Sequence, residues 1–298
     1  MRFLLIILVA IPAVAQFRVY VANSGDDRIS IIDPQTRKVS GEVHVSPNPA
    51  SMAASSDGLR LYVISGTRNL FDIIDVKTNR MVRSVAVGPR PAGIAVSSDG
   101  RRAFICAGEG IDVIDTALFT RVKSIRGRGM DTIYLTPDQT RMVAASTTDK
   151  KLVVINARTE QVEFEIPVGG VPAKIAIDSD RNLVISRLFV QLVGSNSFGI
   201  VDYKTRRVTG KVAAPAGEFA VSPDHKTLWA GGGVFSLPDL KRVATYSAGG
   251  SVAFTPDSRR TYVSNPDSDS VSVIDTMTYK ELARIPVGSK PENIVVIE

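Results

Sequence analysis

The chain is poor in the residues that most often brace a fold covalently or carry chemistry. One cysteine, Cys106, stands among 298 residues, so no disulfide can form within the chain and stability must come from packing. Two histidines, His44 and His225, are too few for a multi-histidine metal site and leave a Ser-His-Asp triad almost nothing to use. Neither a GxxxxGK[ST] phosphate loop nor an HExxH zinc motif occurs. Aromatic residues make up only 6%, with a single Trp against 23 Gly, which suits many short strands and tight turns better than a few long helices.

The apolar run from Phe3 to Ile11 is far below the roughly 20 residues that span a bilayer. It follows Arg2 and ends at Ala13-Val14-Ala15, the layout of a secretory signal cleaved after Ala15. The sequence therefore predicts a signal peptide at 1-15 and one exported domain at 16-298, periplasmic or extracellular, with no integral membrane span. Formal charge falls from +6 to +5 when Arg2 leaves, and the basic residues are scattered among acidic ones. Nucleic acid would need a basic stripe with aromatic platforms, which is not visible, so only a weak preference for anions follows.

A turn Asp recurs at Asp57, Asp99, Asp138, Asp180, Asp224 and Asp257, in steps of 42, 39, 42, 44 and 33. Five residues after each lies an apolar strand residue: Tyr62, Phe104, Val143, Ile185, Trp229 and Tyr262. A period near 40 with short strands is the range of propeller blades, and a mature chain of 283 residues holds about seven. Each unit reads as four strands, a to d from the centre outward. Strand a ends in a turn such as Ser98-Asp99-Gly100, and Asp-x-x-Thr closes the hairpin between c and d at Asp33/Thr36, Asp75/Thr78, Asp202/Thr205 and Asp275/Thr278. Met52, Ile94, Ile133, Ile175, Phe219, Val252 and Ile294 share one strand-a column. The mature chain begins on a strand b, and Glu292 to Ile297 supplies the missing strand a. The predicted fold is all-β, a seven-bladed propeller of four-stranded antiparallel blades, closed by the C-terminal strand completing the N-terminal blade.

Residues 262 to 288 carry Tyr262-Val263-Ser264-Asn265, Val273-Ile274-Asp275-Thr276 and Ile285-Pro286-Val287-Gly288. With these the chain resembles the YVTN-repeat β-propeller family over essentially its whole mature length. The sixth unit departs most, with Ala230-Gly231-Gly232-Gly233 in place of the b-to-c loop. The resemblance implies relatives among surface-layer and secreted binding proteins, lactonase-like enzymes, and periplasmic propellers of quinone-cofactor or haem dehydrogenase systems. Fold-level analogy does not choose among them.

His44 falls on an outer strand, His225 in the turn after Asp224, and Cys106 on an apolar strand b, all read as structural. Asp267-Ser268-Asp269 lacks the glycine and distal Glu of an EF-hand loop and reads as a solvated loop. No catalytic or metal residue is assigned. The d-to-a crossovers, expected to ring the channel mouth, carry Arg90, Arg126, Arg128 and Lys290. The polar column Ser51, Gly93, Thr132, Lys174, Glu218, Ser251 and Asn293 lies just inside, with Asp131, Glu218 and Glu292 tempering the positive field. Candidate ligand-binding residues are Arg90, Arg126, Arg128, Lys174, Glu218, Lys290 and Asn293. Leu188 to Gly194 is expected to lengthen a b-to-c hairpin and pack on a neighbour, or else to dock a partner.

The expectation is a monomeric exported binding or scaffold propeller whose mouth face takes a protein partner or a small anionic ligand, with no cofactor. The alternative is a lactonase-like hydrolase with a divalent cation in the channel, or an accessory of a periplasmic quinone-cofactor dehydrogenase system.

Overall fold

A computed structural model describes residues 17–179, 184–247 and 249–298. The expected signal peptide and Asp180 lie outside the described residues. The described residues form seven antiparallel sheets of four strands, and no helix among them is long and apolar enough to cross a membrane.

Strand b of blade 1 (Arg18–Asn23) shows why such sheets must close into a ring. Five of its six residues are buried, because each face meets a different neighbour. Tyr20 and Ala22 pack with Met52, Leu61 and Val63 of blade 2, whereas Val19 and Val21 pack with Tyr262, Val271 and Val273 of blade 7. A lone sheet would leave one of these faces wet, at roughly 25 cal/mol for each Å² of apolar surface. The last strand, Pro291–Ile297, pairs antiparallel with Arg18–Asn23 in the register Val19↔Val296 and Val21↔Ile294. It places Ile294 and Ile297 in the core at 5% and 4% exposure, and so completes blade 1.

The turns at one end of the ring repeat one hydrogen-bond device. Asp57 accepts from the Ser55 hydroxyl and the Leu59 N–H, Asp99 from Ser97 and Arg101, and Asp257 from Thr255 and Arg259. Between strands c and d, Asp75, Asp202 and Asp275 accept the N–H of the Thr three residues on.

At the opposite end the d-to-a crossovers lie against the b-to-c turns. The N–H groups of Val45, Val87, Val168, Ala214 and Val287 donate to the carbonyls of Asp27, Asn69, Lys150, Asn196 and Asp269, which end those turns. Each of these five turns has four residues, but two blades are cut short. Ala107 pairs directly with Gly110 in blade 3, and Ala230 with Gly233 in blade 6, leaving two-residue turns. Gly108, Gly231 and Gly232 have φ of +51°, +51° and +79°, which such tight turns demand. The shortened turn of blade 6 matches the sequence expectation, and blade 3 adds a second one.

Blade 5 corrects two expectations. Its strands a and b (Pro172–Ser179 and Ile185–Leu192) have eight residues each, and Ile175 pairs with Val190. Phe189, and not Ile185, therefore takes the column of Tyr62 and Phe104, because the extra pairs lengthen the a-to-b hairpin before the register is reached. The stretch from Leu188 is strand b itself. Its b-to-c turn, 193–196, has the ordinary four residues, and Leu188, Phe189 and Val190 are fully buried and offer no docking patch.

Candidate functional site

Among the concavities of the crossover face, two take up all the sequence candidates but Lys290. The channel mouth, a cavity of about 600 Å³, draws lining residues from strand a or its approach in all seven blades. Ser51, Gly93, Thr132, Lys174, Glu218 and Asn293 line it as expected from their shared column, whereas Ser251 of the same column is buried and does not. Its charge is one lysine against three carboxylates, Asp131, Glu218 and Glu292. Lys174 Nζ lies 2.6 Å from Glu218 Oε1, so the one channel cation is neutralised by the neighbouring blade. Asn293 is also occupied, since its Oδ1 accepts the Met52 N–H at 3.0 Å and ties blade 1 to blade 2.

A divalent cation here would need several oxygen donors converging on one point. The three acids share the cavity, yet no group of three His, Cys, Asp or Glu among the described residues is placed to hold a metal ion. With Glu218 held by Lys174 as well, the channel residues do not fit a cation cage.

The second concavity is a groove of about 940 Å³ over blade 3. Its walls are the crossover into blade 3 (Gly88, Pro89, Arg90) and the crossover out of it (Arg126, Gly127, Arg128, Gly129), with the short turn at Gly108 and Glu109 between them. The two residues missing from that turn leave this space open. Four arginines, Arg90, Arg121, Arg126 and Arg128, face two carboxylates, Glu109 and Asp112. Buried Asp112 accepts the Gly88 N–H at 2.7 Å and the Ser124 hydroxyl, and Arg121 reaches it at 3.3 Å. This carboxylate fixes the groove floor and pins the crossover. Arg90, Arg126 and Arg128 are exposed and form no ion pair among the described residues.

The repeat predicts these cations around the channel entrance; the structure instead sets Arg90, Arg126 and Arg128 over blade 3. A crossover runs from the rim of one blade to the axis of the next, so charges along it are spread over several positions. Arg90 and Lys290 are themselves fixed by the repeat: both have positive φ, and their N–H groups donate to Asn69 Oδ1 and Asp269 Oδ1. Lys290 lines neither concavity.

No family model matches the chain, and no curated protein matches it. Solved structures do. A protein of unknown function from Desulfotomaculum acetoxidans superposes with a TM-score of 0.79 at 15% identity, covering 94% of this chain and 99% of that one. The periplasmic gluconolactonase of Pseudomonas aeruginosa gives 0.76 at 17% identity, covering 95% and 99%. The hydrazine synthase of Kuenenia stuttgartiensis gives 0.72 at 17%, covering 82% and 88%. At these identities the likeness extends to the seven-bladed fold and no further.

The groove had a sequence signal that scattered charges concealed. From Arg60 to Met130 there are 12 Lys and Arg against 6 Asp and Glu, while the rest of the chain balances 24 against 24. With Asp57 of blade 2 counted as well, five of the six excess positive charges belong to blade 2, blade 3 and the crossover that leaves it. Counting charge blade by blade, together with the missing pair of turn residues, would have pointed to this place.

The remaining single candidates behave as structural groups. Cys106 is fully buried among Phe104, Ile111 and Met142, and burial pushes its thiol far above the usual value. His225 sits at φ 57° in the turn after Asp224, and its N–H donates to the Ser222 carbonyl.

Proposed function

We propose that the chain is an exported binding propeller of the YVTN-repeat type, acting as a monomer, and that it captures an anionic ligand in the groove over blade 3. The observation that carries this reading is the gathering of Arg90, Arg126 and Arg128, uncompensated, on two walls of one concavity. Guanidinium forks match carboxylate and phosphate groups in two-pronged geometry, and cations around a concavity focus the field on an incoming anion. A lactonase-like hydrolase would instead use the channel, where the three acids do not converge on one point and Glu218 is held by Lys174. The periplasmic address of one fold neighbour agrees with an exported role.

Calorimetric titration of citrate, at low and at physiological salt, tests the proposal. The parent should bind, and the interaction should weaken as salt shortens the Debye length to about 8 Å. Changing Arg90, Arg126 and Arg128 together to Gln should lower affinity about tenfold, as three exposed charge contacts of modest strength would. Equal affinity in that variant, or binding indifferent to salt, overturns the reading.

A further inference from the structure

The groove does not end at the crossover face. Asp112 and Ser124 lie on the face of blade 3 that looks toward blade 2, since Asp112 holds Gly88 of the crossover between them. Arg126 follows Ser124 by two residues on the same strand, Thr120–Arg126, and so shares that face. Opposite, strand d of blade 2 (Arg80–Ala86) carries Val85, which packs with Ala103, Ile105 and Ile114 of blade 3. Arg83, two residues before Val85, is exposed on the same face and forms no ion pair among the described residues. The cationic surface thus continues from Arg90, Arg126 and Arg128 past Arg121 to Arg83, down the cleft between the two blades.

The lining is equally particular. Among the groove residues there is no aromatic ring on which a base could stack, and only Pro89 and Ala107 offer apolar side chains to seat a peptide. Five glycines leave the walls as backbone; at Gly110 an added Cβ would lie 2.0 Å from the Ile125 carbonyl oxygen, and at Gly129 2.2 Å from Thr148 Oγ1. All four cations are arginines. A track of guanidinium forks on polar backbone suits a chain that carries repeated carboxylates and many hydroxyls.

We infer that the ligand is a linear anionic polysaccharide, held by the groove over blade 3 and followed down the cleft toward Arg83; this rests on the groove being the anion seat. Binding of galacturonic acid, its tetramer and its dodecamer should be measured by calorimetry beside citrate, with neutral dextran, polyglutamate and polyphosphate of matched charge as comparisons. Affinity should rise about tenfold or more from monomer to dodecamer as further charge contacts are engaged. Arg83→Gln should weaken the dodecamer about threefold and leave citrate unchanged. Dextran should not bind. A dodecamer no tighter than the monomer, or polyglutamate or polyphosphate matching or exceeding it, overturns the polysaccharide assignment while citrate binding keeps the groove. If citrate also fails to bind, the groove reading falls with it.

Discussion

The channel mouth and the groove over blade 3 lie on one face of one ring, yet they are built by opposite rules. The channel is made by symmetry: every blade contributes its strand a or the approach to it, and Lys174 and Glu218 of neighbouring blades meet and cancel. The groove is made by a break in symmetry, where blade 3 has lost two turn residues and the crossovers on either side bring three arginines that form no ion pair among the described residues. Neighbouring blades in a closed ring must fit one another, and that leaves departures from the repeat as the places free to specialise.

Opening the ring is the severest intervention. Removing residues 291–298 deletes the strand that completes blade 1, takes Glu292 and Asn293 from the channel, and exposes the inner edge of Arg18–Asn23. Burial of Ile294 and Ile297 alone is worth about 1.5–3 kcal/mol each, a large fraction of a marginal total. Thermal melting should show loss of the cooperative transition or a fall of well over 10 °C. A truncated chain that melts like the parent would mean that the seam does not close the fold.

The second intervention restores symmetry at the groove alone. Replacing Gly108-Glu109 by the four-residue turn of blade 4, Thr147-Thr148-Asp149-Lys150, should fill the space between the crossovers without touching any channel residue. Citrate affinity should fall about tenfold while the melting temperature moves only a few degrees. Retained affinity would shift the anion seat elsewhere on the face.

How much of this was legible in the sequence follows the same division. The blade count, the seam and the channel column were readable because the repeat writes them seven times, and an error in one copy is outvoted by the others. Blade 5 misled because its added pairs lie before the register column, so counting from Asp180 fell four residues short of Phe189. The separation of Arg90, Arg126 and Arg128 from the channel and from Lys290 was not readable, because a crossover has no periodicity and its direction is set by backbone contacts such as Asp112 to Gly88.

A smaller effect is expected in the channel. Glu218→Gln removes the partner of Lys174, a pair open enough to solvent that its loss should cost only about 0.5 kcal/mol. Citrate affinity should stay where it was, because the groove and the channel share no lining residue. A marked change in affinity, measured by the same calorimetry, would place the anion in the channel and erase the distinction between the two concavities.

The smallest effect belongs to the opposite end of the ring, where neither concavity lies. The N–H and hydroxyl of Thr78 hold the Asp75 carboxyl below the usual 3.8, and Thr278 does the same for Asp275. At Asp57 and Asp99 the donors are the hydroxyls of Ser55 and Ser97. Because the folded values lie below the unfolded ones, the ionised turns stabilise the fold fully at pH above the ordinary aspartate range. That contribution is lost as pH falls from about 4 through the folded values. Each turn is exposed and contributes little, but the device recurs around the ring, so the melting temperature should decline steeply below pH 4. Asp75→Asn with Asp275→Asn should lower it slightly at pH 7 and flatten the decline between pH 5 and pH 3. A melting profile whose acid limb is the same in parent and double variant would remove these turns from the account of acid sensitivity. Citrate binding at pH 7 should be untouched in the same variant, since the turns and the groove lie at opposite ends of the blades.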